Sequence, residues 1–200
     1  EQKMGEVESA IEIYKEILTE EPSNEKAIES LERLVSLKEY ELQVAEILEP
    51  IYRETRDPQK IIFLDEIFVK HSQDSARTIA LLKEMSELYE IAMDDPSKAF
   101  ETLSQGLILD PYDSQMVSSL ERLARVSNSE EKLLNVYEDA IQKVQDSELK
   151  VFLHKKAASL CEAEIGSPQK AVSHFKSILE LDPGNMESVE SLERIFSSNE

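Results

Sequence analysis

Residues 171–196 of this chain read AVSHFKSILELDPGNMESVESLERIF, and the same pattern occurs twice earlier. Residues 10–35 read AIEIYKEILTEEPSNEKAIESLERLV, and residues 99–124 read AFETLSQGLILDPYDSQMVSSLERLA. In each copy a proline stands twelve positions after the first alanine, and Leu-Glu-Arg begins twenty-one positions after it. Three copies in register without a gap indicate an internal repeat, so we interpret the chain as a repeat array.

The composition of the chain favours helix throughout. Its 200 residues are 40% apolar and include only four glycines and no tryptophan. No pair of helices in such a chain buries its apolar face alone, so neighbouring pairs must stack. We therefore predict an all-α fold, a right-handed α-solenoid of about eleven antiparallel helices. Residues 1–200 are expected to form one repeat domain that is part of a longer array or chain.

Apolar spacing and turn residues predict where the helices lie. The first helix is expected at 6–20, stopped by Pro22, and the second at 25–38, with Ser23 or Asn24 as its N-cap. Asp95 and Ser167 are predicted N-caps ahead of prolines, and Pro50 is expected to kink the third helix. The remaining helices are predicted at about 40–55, from Asp57-Pro58 onward, and at about 75–93, 96–109, 113–126, 130–145, 148–165, 168–181 and 185–197.

The spacing between the three copies is unequal. Ala10 and Ala99 are 89 residues apart, whereas Ala99 and Ala171 are 72 residues apart. The excess of 17 residues corresponds to one helix and a turn. We place this extra helix near residues 57–76, where the alternation of inner and outer helices is predicted to be interrupted once.

The repeat resembles the tetratricopeptide repeat (TPR), a pair of antiparallel helices of about 34 residues. That family places a small residue, an aromatic residue four positions later, a second small residue three positions after that, and a closing proline. Two stretches match this order: Ala10, Tyr14, Ile17 and Pro22, and Ala171, Phe175, Ile178 and Pro183. The first helix of the motif is recognisable at Met85-Ser86 with Tyr89 and at Ala157-Ala158 with Cys161, each with one extra residue before the turn.

The sequence also departs from the family pattern. Tryptophan is absent, and glutamate occupies a place where the family prefers a small residue, at Glu32, Glu121 and Glu193. The chain looks like a divergent bacterial-type TPR array. The paired asparagines with which chaperone-binding members hold a C-terminal carboxylate are missing, so that function is not supported.

The charge balance limits the classes of partner. Forty-two acidic residues against 22 basic ones give a net charge of −20, which repels nucleic-acid phosphates and anionic membranes. We predict no nucleic-acid partner and no membrane insertion, because no apolar run approaches the roughly 20 residues that a membrane span needs. The same charge is equally explained by solubility. The first residue is not methionine, so the compartment stays open, with a soluble, cytoplasmic setting favoured.

No catalytic, cofactor-binding or metal-binding constellation is recognisable, so we predict a protein that is not an enzyme and has no cofactor. The three histidines, His71, His154 and His174, are scattered without metal spacing. The single cysteine, Cys161, excludes an intrachain disulfide. Asp94-Asp95 precedes a proline and is interpreted as a helix cap rather than a calcium site.

The TPR resemblance implies a concave groove that binds a partner protein or peptide. The candidate groove residues are Lys26, Arg33, Lys83, Arg122, Arg125, Lys155 and Arg194. Arg33, Arg122 and Arg194 occupy one repeat-equivalent position, where an acidic or phosphorylated segment of a partner could bridge them. The alternative is that these cations only pair with glutamates along solvated helices.

Two hypotheses for the function follow. The first is a non-catalytic scaffold that holds a partner segment in the groove, and the second is a structural spacer with no groove ligand. Neither end of the chain carries a polar capping helix, so Ile11 and Ile13 at one end and Val189 and Phe196 at the other are expected to leave apolar surface for self-association.

Overall fold

A computed structural model describes residues 2–197, and its regular elements are all helices. No strand occurs within these residues, so the predicted all-α fold of about eleven helices is confirmed over this range. The limits of the predicted domain, Glu1 and Glu200, lie outside the described residues.

Eleven α-helices and two short π-helices follow one another in the described range. The α-helices are α1 (Gln2–Glu20), α2 (Glu25–Leu34), α3 (Glu41–Thr55), α4 (Pro58–His71), α5 (Ser75–Glu87), α6 (Pro96–Leu109), α7 (Ser114–Ser127), α8 (Glu130–Lys143), α9 (Ser147–Leu160), α10 (Pro168–Leu181) and α11 (Met186–Ser197). The π-helices are π1 (Leu88–Ala92), which follows α5, and π2 (Cys161–Ile165), which follows α9. Helix α3 continues through Pro50.

Side chains at the turns start the helices much as predicted. Asn24 accepts a hydrogen bond from the amide of Ala27 at 3.1 Å, and Asp95 accepts one from the amide of Lys98 at 3.0 Å. Ser167 lies at the predicted N-cap position of α10, ahead of Pro168, but its hydroxyl makes no cap hydrogen bond. The backbone angles of Ser167 nearly equal those of Asp95.

The chain divides into two compact units, unit 1 ending at Leu88 and unit 2 beginning at Tyr89. In unit 1, α2 packs on α1 and α3, and α4 packs on α3 and α5, around a core that includes Leu31, Leu48 and Phe68. In unit 2, α8 packs on α6, α7 and α9, and α10 packs on α9 and α11.

The helix order contains the predicted interruption of alternation. The first and second repeat copies begin on α1 and α6, five helices apart, whereas the second and third begin on α6 and α10, four apart. Because five is an odd number of helices, strict alternation of inner and outer helices cannot hold between the first and second copies. Helix α4 occupies the region in which the extra helix was predicted.

The two π-helices occur where the TPR comparison found one extra residue. The carbonyl of Tyr89 accepts the amide of Asp95 at 2.9 Å, and 72 residues later the carbonyl of Cys161 accepts the amide of Ser167 at 2.8 Å. Each π-helix is followed by a left-handed residue, Asp94 with φ 52° and Gly166 with φ 68°. The inserted residue is thus absorbed by widening one helical turn, which preserves the start of the next helix.

Gly106 lies where two helices approach closely. A Cβ atom at this position of α6 would come within 3.0 Å of the sulfur of Met116 on α7. This close approach explains why a glycine stands inside α6.

Candidate binding site

The structure distributes the seven predicted groove residues over both units. Lys26 and Arg33 lie on α2 and Lys83 lies on α5, in unit 1. Four lie in unit 2: Arg122 and Arg125 on α7, Lys155 on α9 and Arg194 on α11. Two of the seven, Arg125 and Lys155, line the same cavity.

This cavity, which we call the α7–α9 cavity, has a volume of about 480 Å³. It is lined by Glu121, Arg125, Leu133, Phe152, Lys155, Lys156, Ser159, Leu160, Ala163 and Glu164. Apolar side chains from α8 and α9 provide its floor, and α7, α9 and π2 provide charged groups around it. An apolar concave surface with a few polar groups is the usual composition of a ligand pocket.

The cations of the cavity are paired with carboxylates but keep free donors. Arg125 donates through Nε to Glu164 at 2.8 Å, and this is its only hydrogen bond in the part of the chain that the structure describes. Its two terminal nitrogens therefore remain available. Lys156 Nζ lies 2.9 Å from Glu121, and Lys155 Nζ donates to Glu187 at 2.5 Å. The Lys155–Glu187 pair is exposed, so it contributes only about 0–1 kcal/mol and is exchangeable, whereas Lys156 and Glu121 are both partly buried.

Arg122 and Arg194 instead form matching bidentate salt bridges with glutamates. Arg194 donates to both carboxylate oxygens of Glu162, at 2.9 and 3.1 Å, and Arg122 donates in the same way to Glu90. Both glutamates lie on π-helices, 32 positions before their arginines. The hydrogen bonds from Arg122 hold the pKa of Glu90 below its usual value, although burial opposes this shift.

Arg33, the third repeat-equivalent arginine, is in a different situation. Among residues 2–197 it pairs only with Glu29 on its own helix, at 3.4 Å, and its side chain is 77% exposed. Pairing along one helix, the alternative considered from the sequence, therefore describes Arg33. Arg122 and Arg194 pair between elements, so a ligand that used them would have to displace an internal carboxylate.

Sequence reasoning missed the role of the glutamates in Leu-Glu-Arg. Glu121 accepts a hydrogen bond from the hydroxyl of Tyr137 at 3.2 Å and lies 2.9 Å from Lys156. Glu32 likewise accepts the hydroxyl of Tyr52 at 2.6 Å and the ammonium of Lys60 at 2.8 Å. The apparent departure from the family pattern is thus a repeated glutamate–tyrosine–lysine contact. The recurrence of glutamate in all three copies was the signal for it.

The structure also brings together two histidines that appeared scattered. The Nδ1 atoms of His154 and His174 lie 3.0 Å apart, so one ring donates and the other accepts. Burial lowers the pKa of His154 to about 4, with a further contribution from His174, and burial also lowers the pKa of His174. Burial raises the pKa of the neighbouring Cys161 thiol to about 11, which makes it a poor nucleophile. Among the described residues, no group of three or more potential ligands could hold a metal ion.

Asp65 is a buried carboxylate that the sequence did not single out. It is fully buried on α4, and its Oδ1 accepts a hydrogen bond from Arg53 at 3.1 Å, while its Oδ2 has no hydrogen-bond partner. Arg53 also binds Glu49 at 3.0 Å and Glu84 at 2.5 Å. Burial, together with the negative charge of Glu84, raises the pKa of Asp65 to about 7, although the positive charge of Arg53 opposes this shift.

None of the helices in the described range is long and apolar enough to span a membrane. No family model matches the sequence, and no curated protein matches it. Two crystal structures of MamA are similar to this chain. The first has 15% sequence identity and a TM-score of 0.41, and the match covers 74% of this chain and 82% of that MamA chain. The second has 14% sequence identity and a TM-score of 0.40, and the match covers 80% of this chain and 83% of that MamA chain. Both TM-scores lie below 0.5, and neither the fold nor the function of this chain rests on them.

Proposed function

We propose that this chain is a non-catalytic scaffold of the divergent TPR type, which holds a segment of a partner protein in the α7–α9 cavity. The observation that carries the proposal is the composition of that cavity, which is lined by the partly exposed ring of Phe152, by Arg125 with its unpaired terminal nitrogens, and by Lys155. Exposed aromatic and arginine side chains in a concave site are the groups that most often dominate binding energy.

The chemistry of the cavity favours an acidic segment with an apolar side chain. A carboxylate or phosphate of the segment would accept hydrogen bonds from the terminal nitrogens of Arg125. Lys155 would then exchange its exposed partner Glu187 for the ligand, at little net cost because that glutamate is 70% exposed. An apolar side chain of the segment would pack on Phe152 and Leu160.

The absence of enzymatic activity is part of the proposal. The groups in unit 2 most capable of acid–base or nucleophilic chemistry are the paired His154 and His174 and the Cys161 thiol, and burial suppresses the charged form of each. None of the three lines the α7–α9 cavity.

The test is affinity capture from a cell extract with the native chain, a cavity variant and a control variant. The affinity of each captured protein, once identified, is then measured by titration. The double variant Arg125→Ala/Lys155→Ala is expected to weaken capture at least about tenfold with little change in melting temperature. Lys143→Ala/Lys176→Ala is the matched control, since it removes two exposed cations from unit 2 outside the cavity. If all three forms capture the same proteins equally, the α7–α9 cavity is not the binding site.

A further inference from the structure

A cavity lies between two helices of unit 1 at a place where the corresponding helices of unit 2 pack on each other. Helices α1, α2 and α3 correspond to α6, α7 and α8, which follow 89 residues later. In unit 2, α8 packs on α6 as well as on α7, whereas in unit 1, α3 packs on α2 and α4. The cavity between α1 and α3 has a volume of about 440 Å³, and we call it the α1–α3 cavity.

Apolar side chains from both helices line the α1–α3 cavity. Leu18 contributes from the C-terminal half of α1, and Ile47 and Ile51 contribute from α3. Leu18 and Ile51 are buried and Ile47 is half-buried. Nearer its N-terminus, α1 instead packs into the core of unit 1. Ile11 is fully buried there, so the prediction that Ile11 leaves apolar surface was wrong.

Two carboxylates on the α3 side of the cavity have no partner. Glu46 and Glu54 are exposed, and neither carboxylate makes a hydrogen bond or an ion pair within residues 2–197. Lys15 also lines the cavity, but its ammonium lies 3.7 Å from Glu12, and Glu12 accepts a hydrogen bond from Gln43 at 3.4 Å. The negative charge of Glu46 and Glu54 is therefore left for a ligand to neutralise.

Pro50 stands midway between these two glutamates and leaves a further acceptor. Proline has no N–H group, so the carbonyl of Glu46, four residues earlier, lacks its usual helical donor. Glu46 and Pro50 both line the cavity. A proline inside a helix lowers its stability, and departures of this kind from local sequence rules are typical of functional positions.

The spacing along α3 defines the shape of a complementary ligand. Glu46, Pro50 and Glu54 follow one another at four-residue intervals, so they share one stripe of the helix. Eight residues of α-helix rise about 12 Å, which is too far for one ammonium group to contact both carboxylates. A ligand helix with a basic residue four positions before and four positions after an apolar residue has the same spacing.

We propose that the α1–α3 cavity binds a basic amphipathic helix of a partner protein. The apolar side chain of that helix packs on Pro50 and Ile47, and its two basic side chains pair with Glu46 and Glu54. The carbonyl of Glu46 accepts a further hydrogen bond from one of these basic groups. The charge complementarity is opposite to that of the α7–α9 cavity, so the two units recognise segments of different chemistry.

Synthetic peptides test the proposed ligand directly. The probe is a labelled helical peptide of alanine and glutamine that carries one leucine, with a lysine four residues before it and another four residues after it. Its matched control has the same composition, but its lysines stand two residues from the leucine, on the other side of the helix. In fluorescence anisotropy, the native chain is expected to bind the probe at least about tenfold more tightly than the control peptide.

Variants of the chain locate the contact. Glu46→Gln/Glu54→Gln is expected to weaken binding of the probe at least about tenfold. Glu8→Gln/Glu16→Gln is the control, because it removes two exposed carboxylates that are also eight residues apart, on α1 outside the cavity, and it should bind like the native chain. Glu46→Lys/Glu54→Lys should reverse the preference and bind a peptide that carries glutamate in place of both lysines.

Three outcomes would overturn the proposal. The first is a native chain that binds neither lysine peptide up to about 1 mM. The second is equal binding of both lysine peptides, since a net charge of −20 then attracts cations without using the cavity. The third is equal weakening by the glutamine variants on α1 and on α3.

This inference goes beyond the proposed function, because it concerns a different cavity and a ligand of opposite charge. Arg125→Ala/Lys155→Ala is expected to bind the lysine probe like the native chain. Glu46→Gln/Glu54→Gln is expected to leave capture through the α7–α9 cavity unchanged. Failure of one proposal is therefore distinguishable from failure of the other.

Discussion

Asp65 is the residue at which burial and charge conflict most strongly. Its folded-state pKa is raised from 3.8 to about 7, so the folded chain holds a proton that the unfolded chain has released over this range. The free energy of unfolding of unit 1 therefore falls as pH rises from 3.8 to about 7, by at most about 1.4 kcal/mol per pH unit.

Replacing Asp65 by asparagine, which keeps the shape but cannot ionise, is expected to remove this slope. The chain has no tryptophan, so Phe63→Trp, at a partly exposed position, provides a fluorescent reporter of unit 1. Urea unfolding at about pH 5 and about pH 7 measures the slope with and without Asp65→Asn. Glu39→Gln removes an exposed carboxylate instead and should keep the native slope. An unchanged slope in Asp65→Asn would show that another group titrates.

Charged contacts between helices, such as that of Asp65, could not be predicted from the sequence. Asp65 stands in the run IIFLDEIF, where helical spacing alone does not show that Arg53 reaches it from another helix. The pairing of Glu90 and Glu162 with Arg122 and Arg194 was equally unpredictable, because each arginine lies 32 positions after its glutamate. By contrast, Asn24 and Asp95 were predictable, since caps depend on neighbours in the chain.

At the level of elements, the two π-helices give a matched pair of positions. The turn after each requires a left-handed backbone, which glycine adopts without strain and which costs other residues about 1 kcal/mol. Gly166 occupies it after π2, with open space around its Cα, whereas Asp94 occupies it after π1. The two positions should therefore respond to substitution in opposite directions.

Gly166→Ala is expected to destabilise unit 2 by about 1 kcal/mol, and Asp94→Gly to stabilise it by a few tenths of a kcal/mol or more. Urea unfolding at neutral pH followed by circular dichroism measures both changes. Equal destabilisation by the two substitutions would mean that the Asp94 side chain stabilises its turn by more than the backbone strain.

Helix bounds and the offset of one residue before each turn could be predicted from sequence because both are local. Which side chains line the α7–α9 cavity could not, since it depends on how α7, α8 and α9 approach one another. Only Arg125 and Lys155 of the seven predicted groove residues lie there, because the resemblance identifies a helix stripe but not the pairing of each cation on it.

For the whole molecule, the two units are expected to respond oppositely to pH. In unit 2, His154 and His174 are held neutral, with the pKa of His154 at about 4, so unfolding takes up protons below the unfolded value of 6.5. The stability of unit 2 is therefore fully present above pH 6.5 and falls as pH decreases through this range, whereas that of unit 1 rises as Asp65 takes up its proton.

Two tryptophan reporters test this opposition. Phe63→Trp reports on unit 1, and Tyr112→Trp, at an exposed position, reports on unit 2. As pH rises from about 5 to about 7, the urea midpoint of Phe63→Trp is expected to fall and that of Tyr112→Trp is expected to rise. Replacing both His154 and His174 by glutamine should flatten the second response. Midpoints that coincide at every pH would show that the units unfold as one.

The buried Cys161 makes it possible to measure local opening of unit 2 in the native sequence. It is the only thiol in the chain, it is fully buried in unit 2, and burial raises its pKa to about 11. A disulfide reagent therefore reacts with it only in molecules whose α9–π2 region has opened, and unit 1 contributes no signal. The labelling rate of the unmodified chain thus measures how often unit 2 opens. A partner that binds in the neighbouring α7–α9 cavity would slow that rate.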